Sequence, residues 1–213
     1  GTTEIIATSL DVSIRVPIHC VVATEDGKAA IPAVELGNFV GSIASDKVEI
    51  SSEDRVAVIS GGGAKFKVSC EDPIDFPEVQ IWDGAGGFHP PSTFAKMIER
   101  TVFAAADEEA RYALNGVYFD FRPGYCRLVA TNGVHLAMTE SPQDVPAISA
   151  IVPTKAARLL LALGIGTEPD QICFAEGKLF ASTARGTLIA SLSAGTFPPY
   201  EKVLPKLPQP HKI

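Results

Sequence analysis

The chain has 213 residues, is 46% hydrophobic and carries a net charge of −7, with a pI near 5.1. These values exclude a disordered chain and a protein that holds nucleic acid by coating itself in positive charge, but not one that surrounds a duplex with a locally positive lining. Cys20, Cys70, Cys126 and Cys173 lie 50, 56 and 47 residues apart, spacings that fit neither a zinc site nor a disulfide framework, so reduced thiols in a cytosolic protein are expected. No charged leader with an apolar core and no uninterrupted apolar run near 18 residues is present, so neither export nor membrane spanning is expected.

Alternating and β-branched residues predict strands over residues 4–7, 11–16, 20–24, 47–51, 55–60 and 65–70, then over 117–121, 126–131 and 187–192. The first of these begins so early that the chain reads as starting inside a β structure. Three segments switch to helical periodicity. Pro32 opens a stripe of Leu36, Phe39, Val40 and Ile43; Pro90-Pro91-Ser92 precede Phe94, Met97, Ile98 and Val102; Pro153 opens Ala156, Leu159, Leu160 and Leu163, which stop at Gly164.

The chain also resembles itself. Residues 4–8 match 127–131 at an offset of 123, Ile31-Pro32 matches Val152-Pro153 at 121, and Phe76-Pro77 matches Phe197-Pro198 at 121. Ordered landmarks at one spacing predict tandem copies of an α+β domain of about 120 residues. Residues 1–83 are then the later part of one copy, 84–87 a linker, 88–205 a complete copy, and 206–213 the start of a second linker. By the same period, roughly 40 residues ahead of Gly1 and one further copy after Ile213 are expected.

Catalytic signatures are weak. Gly61-Gly62-Gly63 lacks a following Gly-Lys-Ser/Thr and reads as a hairpin turn, not a phosphate loop. His19 and Cys20 adjoin each other on an expected strand and would point to opposite faces, against shared metal ligation. There is no Gly-x-Ser-x-Gly, and His19, His89, His135 and His211 are scattered. An enzyme with its own active site is not expected, nor is a cofactor.

Four segments in order carry a family resemblance: Ala110-Arg111-Tyr112-Ala113-Leu114-Asn115-Gly116-Val117, residues 128–137 around Thr131-Asn132-Gly133-Val134-His135-Leu136, Ile151-Val152-Pro153-Thr154-Lys155, and residues 195–205 around Phe197-Pro198-Pro199-Tyr200. Together they resemble the middle domain of bacterial sliding clamps, the beta subunits of DNA polymerase III. Residues 1–83 resemble the remainder of the first clamp domain through the Ile31-Pro32 helix and Asp75-Phe76-Pro77.

The resemblance implies a DNA clamp fold, with antiparallel sheets outside and helices on the inner face, in a head-to-tail homodimeric ring around double-stranded DNA. It implies partners that include the replicative polymerase and clamp loader, docked through short peptide motifs. The implied peptide pocket contains Leu114, Thr131, Gly133, Val134, His135, Leu136, Pro198, Lys202 and Val203. Lys96 and Arg100, four apart, and Lys155 and Arg158, three apart, lie away from the apolar stripes and are candidates for phosphate contact without base readout. Arg111 and Tyr112 are further DNA-facing candidates, a cation beside an aromatic, with Asp107-Glu108-Glu109 just before them. Phe66 and Val68 match positions at the subunit edge. The family often shows Asp-Gly-His-Arg-Leu where this chain has Asn132-Gly133-Val134-His135-Leu136, and a basic residue where it has Glu35, so peptide preference and dimer contact are expected to differ. A clamp-like protein-binding scaffold that does not encircle DNA is the alternative reading.

Overall fold

Proline placement and turn chemistry set the element boundaries in the computed structural model, which describes residues 3–106, 114–166 and 170–204. Two compact units divide the chain: Gly1–Thr8 with Pro17–Gln80, and Ser9–Val16 with Ile81–Ile213.

In the first unit, β1 (Thr3–Thr8) and the end of β2 (Val12–Ile18) precede helix α1 (Ala33–Ser42). An antiparallel meander of β3 (Glu49–Glu53), β4 (Val56–Gly61) and β5 (Ala64–Ser69) follows. Pro32 caps α1 with φ −56° and ψ 121°, an extended conformation that its ring favours and that the helix starts from. Leu36 and Phe39 pack on a small core of Ala57, Ile59, Val68 and Cys70, and Phe39 stacks on Phe66 at 5.3 Å. Val40, placed in the apolar stripe by periodicity, is 44% exposed. Gly62 and Gly63 close the β4–β5 hairpin, both at positive φ, the geometry of a type I′ turn.

The expected strand over residues 20–24 is not formed. His19 and Cys20 lie in a turn beyond the end of β2, and residues 19–29 are exposed. β-branched Val21 and Val22 have no pairing partner there, which overrides their propensity. Neither His19 nor Cys20 is therefore on a strand, and strand alternation does not set their side chains on opposite faces.

In the second unit, α2 (Phe94–Val102) leads into β6 (Gly116–Arg122), β7 (Tyr125–Thr131), β8 (Leu136–Ser141) and β9 (Ile148–Pro153), a sheet in the order β8-β7-β6-β9. Helix α3 (Thr154–Ala162) then leads to a second meander, β10 (Gln171–Ala175), β11 (Lys178–Thr183) and β12 (Gly186–Ser191). β12 also pairs with residues 12–15 of β2. Side-chain alternation divides the β6–β9 sheet cleanly. Val117, Phe119, Phe121, Cys126, Leu128, Ala130 and Val152 face α2 and α3 in the main core, where Phe119 meets Phe94 edge to face at 5.6 Å. Tyr118, Val129, Leu136 and Ile151 face the opposite side.

Helix α3 ends as its Gly164 predicts. Gly164 N–H donates to the Leu161 carbonyl at 2.9 Å and Ile165 N–H to that of Leu160 at 3.1 Å, with Leu160 and Ile165 both buried. This is the paired-bond arrangement that satisfies the last carbonyls of a helix. Residues 82–88 are folded against the second meander. Trp82 donates its indole N–H to the Ala85 carbonyl at 3.1 Å and packs on Phe180, and Phe88 pairs with Ile172.

The internal resemblance is structural as well as sequential. β10, β11 and β12 lie 122 residues beyond β3, β4 and β5 and have the same lengths. The inward positions correspond too: Ala57, Ile59, Val68 and Cys70 become the buried Leu179, Ala181 and Ala190 and the half-buried Leu192. Pro153 caps α3 as Pro32 caps α1. Glu71 N–H donates to the Ala30 carbonyl and Ser193 N–H to that of Ile151, closing each unit in the same way.

All four cysteines are free thiols. Cys126 is fully buried and burial pushes its thiol up to about 12, so it stays protonated at neutral pH.

Candidate partner-binding groove and nucleic-acid face

The face of the β6–β9 sheet turned away from the helices is covered by residues 197–204, which cross it as a strap. Phe197 and Tyr200 point inward, 7% and 3% exposed, and join Val129 and Ile151 in a separate core with Tyr118, Leu136 and Leu204 against it. The rings of Tyr118 and Phe197 stack at 4.7 Å. With these two pegs buried, Pro198, Pro199, Glu201, Lys202 and Val203 are left exposed. A 3-10 turn over Tyr200–Lys202 is closed by Lys202 N–H to Pro199 and Val203 N–H to Tyr200.

The β7–β8 turn flanks the strap. The Asn132 carbonyl oxygen of the side chain accepts from the backbone of Val134 at 3.0 Å and of His135 at 2.9 Å. The Thr131 hydroxyl donates to the His135 carbonyl at 2.6 Å and accepts from Gly133 N–H at 3.1 Å. Gly133 has φ +91°, which a residue with a Cβ rarely adopts. A turn bonded this fully is held in one shape before any ligand arrives. It lifts Val134 into solvent, 83% exposed.

Of the predicted pocket residues, the structure therefore brings together Thr131 and Leu136, paired across β7 and β8, with the strap that carries Pro198, Lys202 and Val203. Gly133, Val134 and His135 form the turn at its side. Leu114 is half-buried and its carbonyl accepts from Ala106 N–H at 2.9 Å. Leu136, Pro198 and Val203, with the β7–β8 turn beside them, form an open, largely apolar ledge. A shallow cavity of about 250 Å³ lies nearby, lined by Tyr118, Ile151, Ser193, Thr196 and Phe197 among others, and by none of the nine predicted residues. Met138, 38% exposed and two residues beyond Leu136 on the same face of β8, extends the ledge.

Under the strap lies a polar network that the sequence reading did not identify. The Tyr200 hydroxyl donates to Asp120 at 2.7 Å and accepts from Arg127 at 2.8 Å. Arg127 also donates to Glu140 through Nε at 2.7 Å, and Arg122 to Asp120 at 2.9 Å. Asp120 is 2% exposed, so these donors take the place of water around its carboxylate. Burial pushes the Tyr200 phenol up, and Asp120 adds to this while Arg127 opposes it. Burial alone would lower the Arg127 guanidinium, but the bonds to Tyr200 and Glu140 outweigh it and hold it above its ordinary range.

On the helical side, Lys96 and Arg100 of α2 and Lys155 and Arg158 of α3 are all exposed, opposite the buried Phe94, Met97, Ile98, Ala156, Ala157 and Leu160. Lys155 reaches the Ser9 hydroxyl at 3.5 Å, and among the described residues no carboxylate forms an ion pair with any of the four. Arg111 and Tyr112 lie outside the described residues. In the first unit, Phe66 is half-buried beneath Phe39, while Val68 faces Ala57 in the core of the meander, 9% exposed. β5, which carries both, is an edge strand of that meander.

A strand-helix-meander unit repeated at 122 residues, with helices on one face of its sheets, is the DNA clamp fold. Residues 89–199, more than half of the chain, match the family model of the DNA polymerase III beta subunit, central domain, and the chain belongs to that family. It is similar to the beta sliding clamp of Escherichia coli K12, 29% identical over 216 residues that cover 99% of this chain and 59% of that protein. The beta sliding clamp of Pseudomonas aeruginosa PAO1 is 33% identical over 196 residues, covering 86% and 52% of the two chains. The chain thus spans less than two thirds of the length of these relatives. Among solved structures, the Pseudomonas aeruginosa sliding clamp bound to griselimycin superposes with a TM-score of 0.80 at 30% identity, covering 95% of this chain and 57% of that one. The Thermotoga maritima DNA polymerase III beta subunit shares the fold, with a TM-score of 0.85 at 23% identity over 97% and 57% of the two chains.

Proposed function

We propose that this protein works as a sliding clamp of the bacterial replicase, encircling duplex DNA in the cytoplasm and tethering the polymerase and other replication proteins. It contributes no chemistry of its own. The observation that carries this reading is the cationic face of α2 and α3. An acidic chain places Lys96, Arg100, Lys155 and Arg158 on the helical side without carboxylate partners among the described residues. Contacts of that kind neutralise phosphates without reading bases, as a protein that slides must. Arg111 and Tyr112, outside the described residues, are proposed as further DNA contacts.

The strap and the β7–β8 turn are the proposed docking ledge for short peptide motifs of the polymerase and clamp loader. Leu136 and Val203 offer apolar contact, Gly133 allows close backbone approach and Lys202 supplies a cation at the rim. Griselimycin, which the related Pseudomonas aeruginosa clamp binds, is expected to occupy the same ledge. Phe66, on the edge strand β5, is proposed to meet a second subunit. Val68 supports that contact from beneath, through the core.

Primer extension tests the tethering role. With polymerase, clamp loader and primed circular template, adding the intact gene product is expected to lengthen the products of a single binding event. Unchanged product length would favour the alternative, a scaffold that does not encircle DNA.

A further inference from the structure

We infer that Tyr200, Asp120 and Arg127 are positioning residues for the docking ledge: their buried network fixes the strap against strands β6, β7 and β8 and thereby sets the affinity for a bound partner. The inference rests on the ledge reading given above. It follows from which groups are held and which are free. Within residues 197–203 only Phe197 and Tyr200 are buried, and Tyr200 alone is bonded to charged side chains. Its hydroxyl sits between an acceptor on β6 and a donor on β7, and Arg127 continues to Glu140 on β8. β8 also carries Leu136, four residues from Glu140 and on the same face. One connected set of bonds therefore ties Leu136 on the sheet to Pro198, Lys202 and Val203 on the strap, the two halves of the ledge.

The chemistry makes this arrangement specific in position. Asp120 is shielded from water and Arg127 is half-buried, so losing the phenol leaves a buried carboxylate short of a donor that bulk solvent does not readily replace and removes one acceptor from the guanidinium. A neutral phenol is required, because it must donate to the carboxylate and accept from the guanidinium at once. Burial together with Asp120 keeps it protonated. A strap released from this network samples other positions. If the docking position is then populated about one tenth of the time, affinity falls about tenfold with no contact to the ligand altered.

Griselimycin titrated into wild type, Leu136→Asp and Tyr200→Phe separates the possibilities. Tyr200→Phe keeps the ring in the Phe197 and Tyr118 cluster and removes only the hydroxyl. We expect binding about tenfold weaker, with amide exchange accelerated at Lys202 and Val203 and unchanged at Leu128 in the centre of β7. Asp120→Asn, which retains an acceptor for the phenol, is expected to keep most of the affinity. Wild-type affinity in Tyr200→Phe, or weaker binding without faster exchange in the strap, overturns the positioning role. If Tyr200→Phe loses protection throughout the sheet, Arg127→Lys decides, and unchanged affinity there also overturns it. Failure of wild type to bind, or full binding by Leu136→Asp, instead refutes the ledge itself.

Discussion

Replacing Leu136 with aspartate is expected to reduce griselimycin binding at least 100-fold while leaving the fold intact. Leu136 is half-buried at the start of β8, paired with Thr131, and it joins the Val129, Ile151, Phe197 and Tyr200 core from its open side. Its side chain is near enough to solvent for a carboxylate to be hydrated in the free protein. Once a ligand covers the proposed ledge, that carboxylate is stripped of water, with Lys202 of the strap as a mobile cation. Placing an unpaired charge in an apolar contact costs several kcal/mol, and each 1.4 kcal/mol is tenfold in affinity. Isothermal titration measures the loss, and circular dichroism verifies the fold.

The second large effect concerns the helical face. Neutralising Lys96, Arg100, Lys155 and Arg158 together to glutamine is expected to lower the dependence of duplex binding on salt. Each phosphate contact contributes about 0.9 to the slope of log affinity against log salt. Four contacts therefore amount to about 3.6, on the order of a 100-fold difference in how affinity changes between 50 and 200 mM salt. Fluorescence anisotropy with a short duplex of any sequence provides the measurement. An unchanged slope would remove these four residues from the DNA face. Lys65 and Lys67, on β5 of the first unit, are the control pair, and their neutralisation should leave the slope as it is.

Much of this architecture was legible because its signals are local. Pro32 and Pro153 mark equivalent helix starts in the sequence and cap equivalent helices in the fold. The apolar stripe of α2 and the glycine stop of α3 were readable for the same reason: each depends on residues within two turns of one another. Strands β8 to β11 were not recognised. β8 carries Ala137, Met138 and Glu140, which favour strands poorly. β9 ends on the proline that also begins a helix. β10 and β11 have neighbouring residues buried on both faces, such as Leu179 and Phe180, which erases the alternation. Residues 20–24 erred the other way, having strand-like composition but no partner strand.

The residues of the proposed ledge were named through family resemblance, residue by residue, and the way the strap is held against the sheet was not legible. Nothing in the sequence indicates that Tyr200 reaches Asp120 and Arg127, 80 and 73 residues away. One cue was present. Asp120 interrupts the aromatic run Phe119-Asp120-Phe121, and a charge in mid-strand must either face solvent or find a partner. Here it finds one under the strap. Arg127, on a strand otherwise rich in apolar residues, is the complementary cue.

A protein that surrounds DNA differs from one that merely adheres to it in how it leaves. The direct measurement is retention of the intact gene product on nicked circular plasmid after loading by its clamp loader, followed by gel filtration in high salt before and after a single restriction cut. Topological linkage predicts that the protein stays with the circle in high salt and is lost once the plasmid is linear. Equal retention on circular and linear DNA, or release from both as salt rises, would contradict it.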